Sequence, residues 1–507
     1  MPLLDLPNEL LQEISEYLES DGDINAIAKA NRRFYCLLDS YLYRYDVQQS
    51  GSSALLWAAE HGQVATAEKS LRGKANIQAT NENKEAPLLL AAKSGHKQVV
   101  KLLVDKGADV NAQGGHYGNA LQAASEGGHG VVVKMLLDKG ADVNAQGGCW
   151  GNALQAASSR GHEAVVRLLL NKSADVNAQG GDYGNALQAA SDTGNKAVVE
   201  MLLDKGADVN AQGGRWDNAL LAASSGGHEA VVKLLLDEGT HINAQSGVYG
   251  DALYMASNGG HEAVVKMLLE KSADVNAQGG DYGNALQAAS ETGNKAVVKM
   301  LLDKGADVNA QGEYYGNALQ AASCRGHMAV VKMLLDKGAD VNAQGGEYSN
   351  ALQAASHRGH EAVVKMLLDK GADVNAQGGD YGNALYTASE GGHEAVVKML
   401  LDKGADVNAQ GEYYGNALQA ASCRGHKAVV KMLLDKGADV NAQGGEYSNA
   451  LYAASYGGHE AVVKMLLEKG ADLNAQGEYY GNALQAASEG GHEVVVKMLV
   501  GWGAKSS

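Results

Sequence analysis

The sequence is short of several residue types. Its 507 residues include one phenylalanine, three prolines and four cysteines. So few cysteines in a chain this long cannot build a disulfide framework, and they fit a reducing compartment. No apolar run approaches the ~20 residues that a bilayer-spanning helix needs, so no membrane partner is expected. The amino-terminal stretch MPLLDLPNELLQEI sets carboxylates among its apolar residues and has no basic leader, so it does not read as a signal peptide. A cytoplasmic or nuclear protein is expected. No basic run exceeds Arg32-Arg33, and 42 basic against 59 acidic residues give a net charge of −17. A surface of that balance repels phosphate backbones, so direct nucleic-acid binding is not expected either. What abounds is glycine, 65 residues and well above the usual ~7%, beside 22 tyrosines. So skewed an alphabet points to a short unit copied many times.

Self-similarity bears this out within the sequence. Asn-Ala-Leu-Gln or a close variant begins at Asn119, Asn152, Asn185, Asn218, Asp251, Asn284, Asn317, Asn350, Asn383, Asn416, Asn449 and Asn482, each 33 residues after the last. Weaker copies in the same phase start at Ala86 and Ser53, giving about 14 units, the last truncated. A second period of 99 residues lies above the first. The segment from Asp182 recurs from Asp281, and that from Tyr314 recurs from Tyr413. Blocks of three units have been duplicated.

One unit, 119–151, is legible in physical terms. Asn119 is a good N-cap for a short helix over Ala120, Leu121, Gln122, Ala123 and Ala124, whose small residues let another helix come close. Gly127-Gly128 breaks that helix. A second helix starts near His129, with Val132, Val133, Leu136 and Leu137 on one apolar face and Lys134, Asp138 and Lys139 on the wet side. Gly140 suits the left-handed cap position. The remainder, ADVNAQGGCWG, is polar and turn-rich and fits an extended loop or hairpin. Two helices this short cannot bury their faces alone, so stability must come from stacking of neighbours.

This unit resembles the ankyrin repeat. The resemblance spans 53–507, with the family's Thr-Pro-Leu-His-x-Ala-Ala matched most nearly by Ala86-Pro87-Leu88-Leu89-Leu90-Ala91-Ala92. Gly95-His96, Val99-Val100, Leu102-Leu103 and Gly107-Ala108-Asp109-Val110-Asn111-Ala112 match the rest. Most units use Asn-Ala-Leu-Gln instead, a form similar to that of fungal ankyrin arrays. The resemblance implies an all-α solenoid of helix–turn–helix–loop units that binds protein partners on its concave side.

Residues 1–50 fall outside the 33-residue phase. Leu6, Leu10, Ile14 and Leu18 recur every four residues with Pro7 in the first turn, and two further apolar sets suggest three short helices. Leu6-Pro7-Asn8-Glu9-Leu10-Leu11, Ile14, Leu18, Asp23-Ile24, Arg33-Phe34 and Leu42-Tyr43-Arg44 resemble an F-box, with Tyr43-Arg44 where the family has Trp-Arg. The resemblance implies docking of Leu6, Pro7, Leu10, Leu11, Ile14 and Leu18 on the adaptor of a cullin–RING ubiquitin ligase, and so a substrate receptor. The other reading is a helical cap on the first repeat, leaving a non-catalytic scaffold or transcriptional co-regulator.

No catalytic, cofactor or metal site is expected. The histidines at 96, 129, 162, 228, 261, 327, 360, 393, 426, 459 and 492 form a ladder. Packed helices lie roughly 8–10 Å apart, too far for a shared zinc with bonds near ~2.0–2.1 Å, so a structural role at the start of the second helix is expected. Cys324 and Cys423 are copies in one phase. The informative variation is at unit positions 116, 126 and 127, which change from copy to copy while the apolar positions barely do. An aromatic recurs in every loop from Tyr117 onward, and its regularity suggests that most pack loop against loop. Departures from consensus gather between 149 and 258: Cys149, Trp150, Arg215, Trp216, Leu221, Val248, Tyr254 and Met255 are the expected partner-selective patch. The acidic balance predicts a basic protein partner.

Overall fold

The computed structural model describes residues 52–504, apart from 248, 282, 313, 380–381, 412–414, 446–447 and 477–480. The expectations for 1–50, including Leu6, Pro7, Leu10, Leu11, Ile14 and Leu18, lie outside the described residues. The described chain holds 28 helices and no strand. It falls into two compact units divided between His241 and Ile242. Each is a stack of helix pairs.

The unit from Asn119 shows how the sequence makes one layer. Helix Ala120–Glu126 starts on a capping box, in which Asn119 Oδ1 accepts from the Gln122 amide at 2.9 Å and Gln122 Oε1 from the Asn119 amide at 2.8 Å. Ala120, Ala123 and Ala124 are buried, and without bulk there the first helices of neighbouring repeats meet along most of their length. The second helices, such as Gly130–Asp138, touch their neighbours at fewer places. Val132, Val133 and Leu136 fill the layer between, Leu137 is half-buried, and Lys134, Asp138 and Lys139 stay wet. Gly140, at φ +88°, ends the helix in the left-handed conformation expected of it, and the Ala141 amide reaches back to the Leu136 carbonyl at 3.0 Å.

Stacking is stitched by polar bonds to the loop that closes each unit and to the next repeat. Gln122, wholly buried, sends Nε2 to the carbonyls of Ala145, Gly147 and Gly151 at 3.2, 3.1 and 2.8 Å. Asn111 Oδ1 accepts from the Asp142 amide at 2.8 Å, and its side-chain amine donates to the Gly140 carbonyl at 3.2 Å. On the outer edge Lys139 meets Asp105 at 3.1 Å and Lys172 meets Asp138 at 2.9 Å. The Lys172 hydrogen bond, first among the causes, holds the Asp138 carboxyl below its ordinary range.

Candidate functional site

The histidine ladder is structural. His129 Nε2 donates to the Lys93 carbonyl at 3.0 Å, His162 to Glu126 at 2.8 Å, His327 to Glu291 at 2.9 Å and His426 to Glu390 at 2.9 Å. Each imidazole thus ties the start of its own second helix to the last turn of the preceding repeat's first helix. A carbonyl only accepts, so Nε2 carries the proton in each. Among the described residues no three His, Cys, Asp or Glu side chains come together as a metal site, and no helix is long and apolar enough to cross a membrane.

In each unit, the described variable positions lie where the loop tips and the ends of the first helices form a face. Loop tips are joined by backbone rungs: the Cys149 amide donates to His116 O at 3.1 Å, Asp182 to Cys149 O at 2.8 Å and Arg215 to Asp182 O at 2.8 Å. Such close stacking requires glycine beside the rung. A Cβ on Gly148 would lie 2.6 Å from His116 O, and its φ of +62° already excludes most residues.

In the first unit this face carries two aromatic–arginine clusters. Trp150 stacks on Tyr183 with ring centres 5.7 Å apart, and the Arg160 guanidinium lies 5.4 Å from the Trp150 ring centre. Arg160 is anchored from below by Glu126, Nη2 to Oε1 at 2.6 Å. Arg215 lies 5.1 Å from the Trp216 ring centre. Asp192 faces both Arg215 and Trp216, and burial, outweighing them, raises its carboxyl above the ordinary value. Cys149 Sγ sits 3.1 Å from His116 Nε2. Burial, then Asp182, pushes the thiol upward, so it stays protonated near neutrality and offers no ready nucleophile.

Of the expected patch, Cys149 and Trp150 are half-buried, Arg215 is exposed and Trp216 is half-buried, all on this face. Leu221 and Tyr254, only 1% and 5% exposed, lie inside. They occupy the position that Gln122 holds in its unit, beneath the following loop. Tyr254 therefore fills with its ring the space that the glutamine amide bridges elsewhere: a Cβ on Gly280 would meet that ring at 2.6 Å. Met255 is half-buried, and Val248 lies outside the described residues. Tyr254 and Met255 also belong to the second unit, whereas the other placed members belong to the first.

The second unit has a cluster of its own that the departures from consensus did not single out. Tyr315, Cys324 and Tyr348 pack together, buried, against Ala321 and Ala354. Burial pushes both phenols up to about 12 and raises the Cys324 thiol. Above them stand Arg325, bonded to Glu291 Oε1 through Nε at 2.8 Å and Nη2 at 2.6 Å, and Arg358, which lies beside Tyr348 and Cys324. Arg424 repeats the Arg325 arrangement 99 residues on, with Nη2 2.8 Å from Glu390 Oε1. One signal in the sequence marks these residues. Beyond residue 100, arginine falls on this face at 160, 215, 325, 358 and 424 and elsewhere only at 167, whereas the described lysines sit on the second helices and their caps.

The family described as "Ankyrin repeats (3 copies)" matches residues 55–147, 121–213, 219–312, 254–345, 312–378, 352–444 and 417–506. No curated protein matches. Among solved structures, the crystal structure of the human ASB11 ankyrin repeat domain is similar over 43% of this chain and 98% of its own, at 26% identity and a TM-score of 0.39.

Proposed function

Because this chain belongs to the ankyrin-repeat family, whose repeats bind protein partners, we propose that it is the substrate receptor of an F-box-type cullin–RING ubiquitin ligase. Leu6, Pro7, Leu10, Leu11, Ile14 and Leu18 dock on the adaptor, and the repeat face holds the target, with Cys149, Trp150, Arg215 and Trp216 among its contacts. The observation that carries the reading is the junction of an F-box-like Leu6-Pro7-Asn8-Glu9-Leu10-Leu11 with repeats whose face presents tryptophan, tyrosine and arginine, the residues that dominate interface energies. The receptor acts by proximity, and transfer chemistry belongs to the other subunits. The second reading is a scaffold or co-regulator without adaptor binding, favoured by Tyr43-Arg44 in place of Trp-Arg.

Purification of the tagged full chain from a eukaryotic lysate, probed for adaptor and cullin, separates the two. The wild type is expected to capture both and the Leu6→Ala/Pro7→Ala/Leu10→Ala variant neither. A variant that keeps all partners, or a wild type that captures neither subunit, removes the receptor reading.

A further inference from the structure

In the second unit the charge presented by the repeat face differs from the charge it contains. Arg325 and Glu291 form one neutral pair, yet the arginine side chain is 47% exposed and the glutamate 10%. Arg424 and Glu390 are 54% and 13% exposed. The outer-edge pairs are unlike these: Lys403 and Asp369 are exposed almost equally, at 49% and 53%. Each face pair therefore hides its carboxylate and displays a guanidinium. The Arg325 pair uses Nε and Nη2, which leaves the Nη1 amine for a ligand on a fork already held in place. Arg358, exposed, has no ion pair among the described residues and lies beside Tyr348 and Cys324. Between Arg358 and Arg424 the row is interrupted by Gly391. There a cavity of about 440 Å³ opens, lined by His357, Arg358, Glu390, Gly391, His393 and Arg424. Among the described residues Glu390 Oε2, buried beside it, has no hydrogen-bond partner.

We propose that this face docks an extended acidic protein segment, with Arg325, Arg358 and Arg424 as its carboxylate contacts and the cavity at Gly391 as the seat of a hydrogen-bond-donating side chain. The spacing defines the segment. Stacked repeats advance about 10 Å and an extended chain about 3.3 Å per residue, so one repeat spans about three residues. Arg325 and Arg358 are one repeat apart, and Arg424 is two further on. Carboxylates at i, i+3 and i+9 meet the three guanidinium groups. A tyrosine at i+6 reaches the cavity and donates its hydroxyl to Glu390. The chain's net charge of −17, from which a basic partner is expected for the surface as a whole, opposes an acidic ligand at long range, so binding here depends on these oriented contacts and not on bulk attraction. The inference deepens the protein-binding reading of the repeats and rests on it.

The test is fluorescence anisotropy of a labelled synthetic peptide with glutamate at i, i+3 and i+9 and tyrosine at i+6, titrated with the full chain. The glutamate peptide is expected to bind and its lysine-for-glutamate version not to. Each of Arg325→Ala, Arg358→Ala and Arg424→Ala should weaken binding by about fivefold, the effect of losing one half-exposed charge-assisted hydrogen bond. Lys332→Ala, on a second helix, should change nothing. Arg→Lys at all three positions keeps charge but loses the fork, and should still bind several-fold more weakly than the wild type. Circular dichroism melts confirm that each variant is folded. No binding of the glutamate peptide, equal binding of the lysine peptide, or a triple alanine variant with unchanged affinity overturns the proposal. Peptide failure with adaptor capture intact removes this inference alone. Adaptor failure with peptide binding intact removes the receptor reading alone.

Discussion

Replacing Ser349 by glycine should stabilise the repeat that follows it, and the reverse change at Gly151 should destabilise its own. At Gly151 a Cβ would collide with Gln155 Oε1, the atom that completes the capping box by accepting from the Asn152 amide at 2.8 Å. Ser349 occupies the same loop position, at φ +64°. There the box is open: Asn350 still caps the Gln353 amide at 2.9 Å, but its own amide turns to the Tyr348 carbonyl at 2.7 Å. Among the described residues Gln353 Oε1 and Asn350 Nδ2 are left buried without partners. Glycine relieves a left-handed serine, about 1 kcal/mol, and lets Gln353 close the box, about 2 kcal/mol for a satisfied buried acceptor. Against this stand the Ser349–Gln344 hydrogen bond of 2.6 Å, about 1 kcal/mol, and the larger unfolded-state freedom of glycine, about 0.5–1 kcal/mol. The net is about 1 kcal/mol of stabilisation, or roughly fivefold more amide protection. Gly151→Ser should lose about 2 kcal/mol by the same terms. Native-state hydrogen exchange over 350–357 and 152–159 reads both. Unchanged or reduced protection in Ser349→Gly, or a neutral Gly151→Ser, would refute the collision argument.

Leu136→Ala should cost about 2–5 kcal/mol and lower protection mainly in repeats around 119–171, because a stack couples near neighbours only; uniform loss through 417–468 would contradict this. Acid should weaken the second unit through His357 and His360. Burial, the largest cause at both, holds the imidazoles below their ordinary range, with Arg358 adding to the effect at each and the His360 bond to Cys324 O opposing it. The folded protein then binds fewer protons than the unfolded chain, so this stability is complete above pH ~6.5 and is lost as pH falls below it. Melting between pH 7.5 and 5.5 should show a smaller acid loss in His357→Gln/His360→Gln than in wild type, and an equal loss in both would sink the assignment.

Much of the repeat was legible because its determinants are local. Asn119 as cap, Gly140 as left-handed stop and Val132, Val133 and Leu136 as core follow from spacing within one unit. The histidine role followed from distances between packed helices, although its acceptor, a carbonyl in the preceding repeat, did not. The partner face was harder to read. Leu221 and Tyr254 stood out as departures, but a departure carries no direction. Their position is the third in the helix, beneath the next loop, and only the fold of that loop makes it an interior site. Arg160, Arg325 and Arg358 lie at unit position 127, marked as variable but not carried into the expected patch, for the converse reason. Each belongs to a position that varies among glycine, threonine and arginine, and what separates it from drift is a glutamate or tyrosine brought alongside by stacking.

The polar bonds that hold the stack connect residues 23 to 36 apart along the chain, from Gln122–Ala145 and Gln122–Gly151 through Asn111–Asp142 and Asp105–Lys139 to Lys93–His129. The contact separation thus does not grow with the number of repeats, and neither does the loop-closure entropy that slows folding. During synthesis, each repeat has all its partners as soon as about one further repeat has left the ribosome. Folding that keeps pace with translation would leave exposed only the apolar surface of a single unfinished layer.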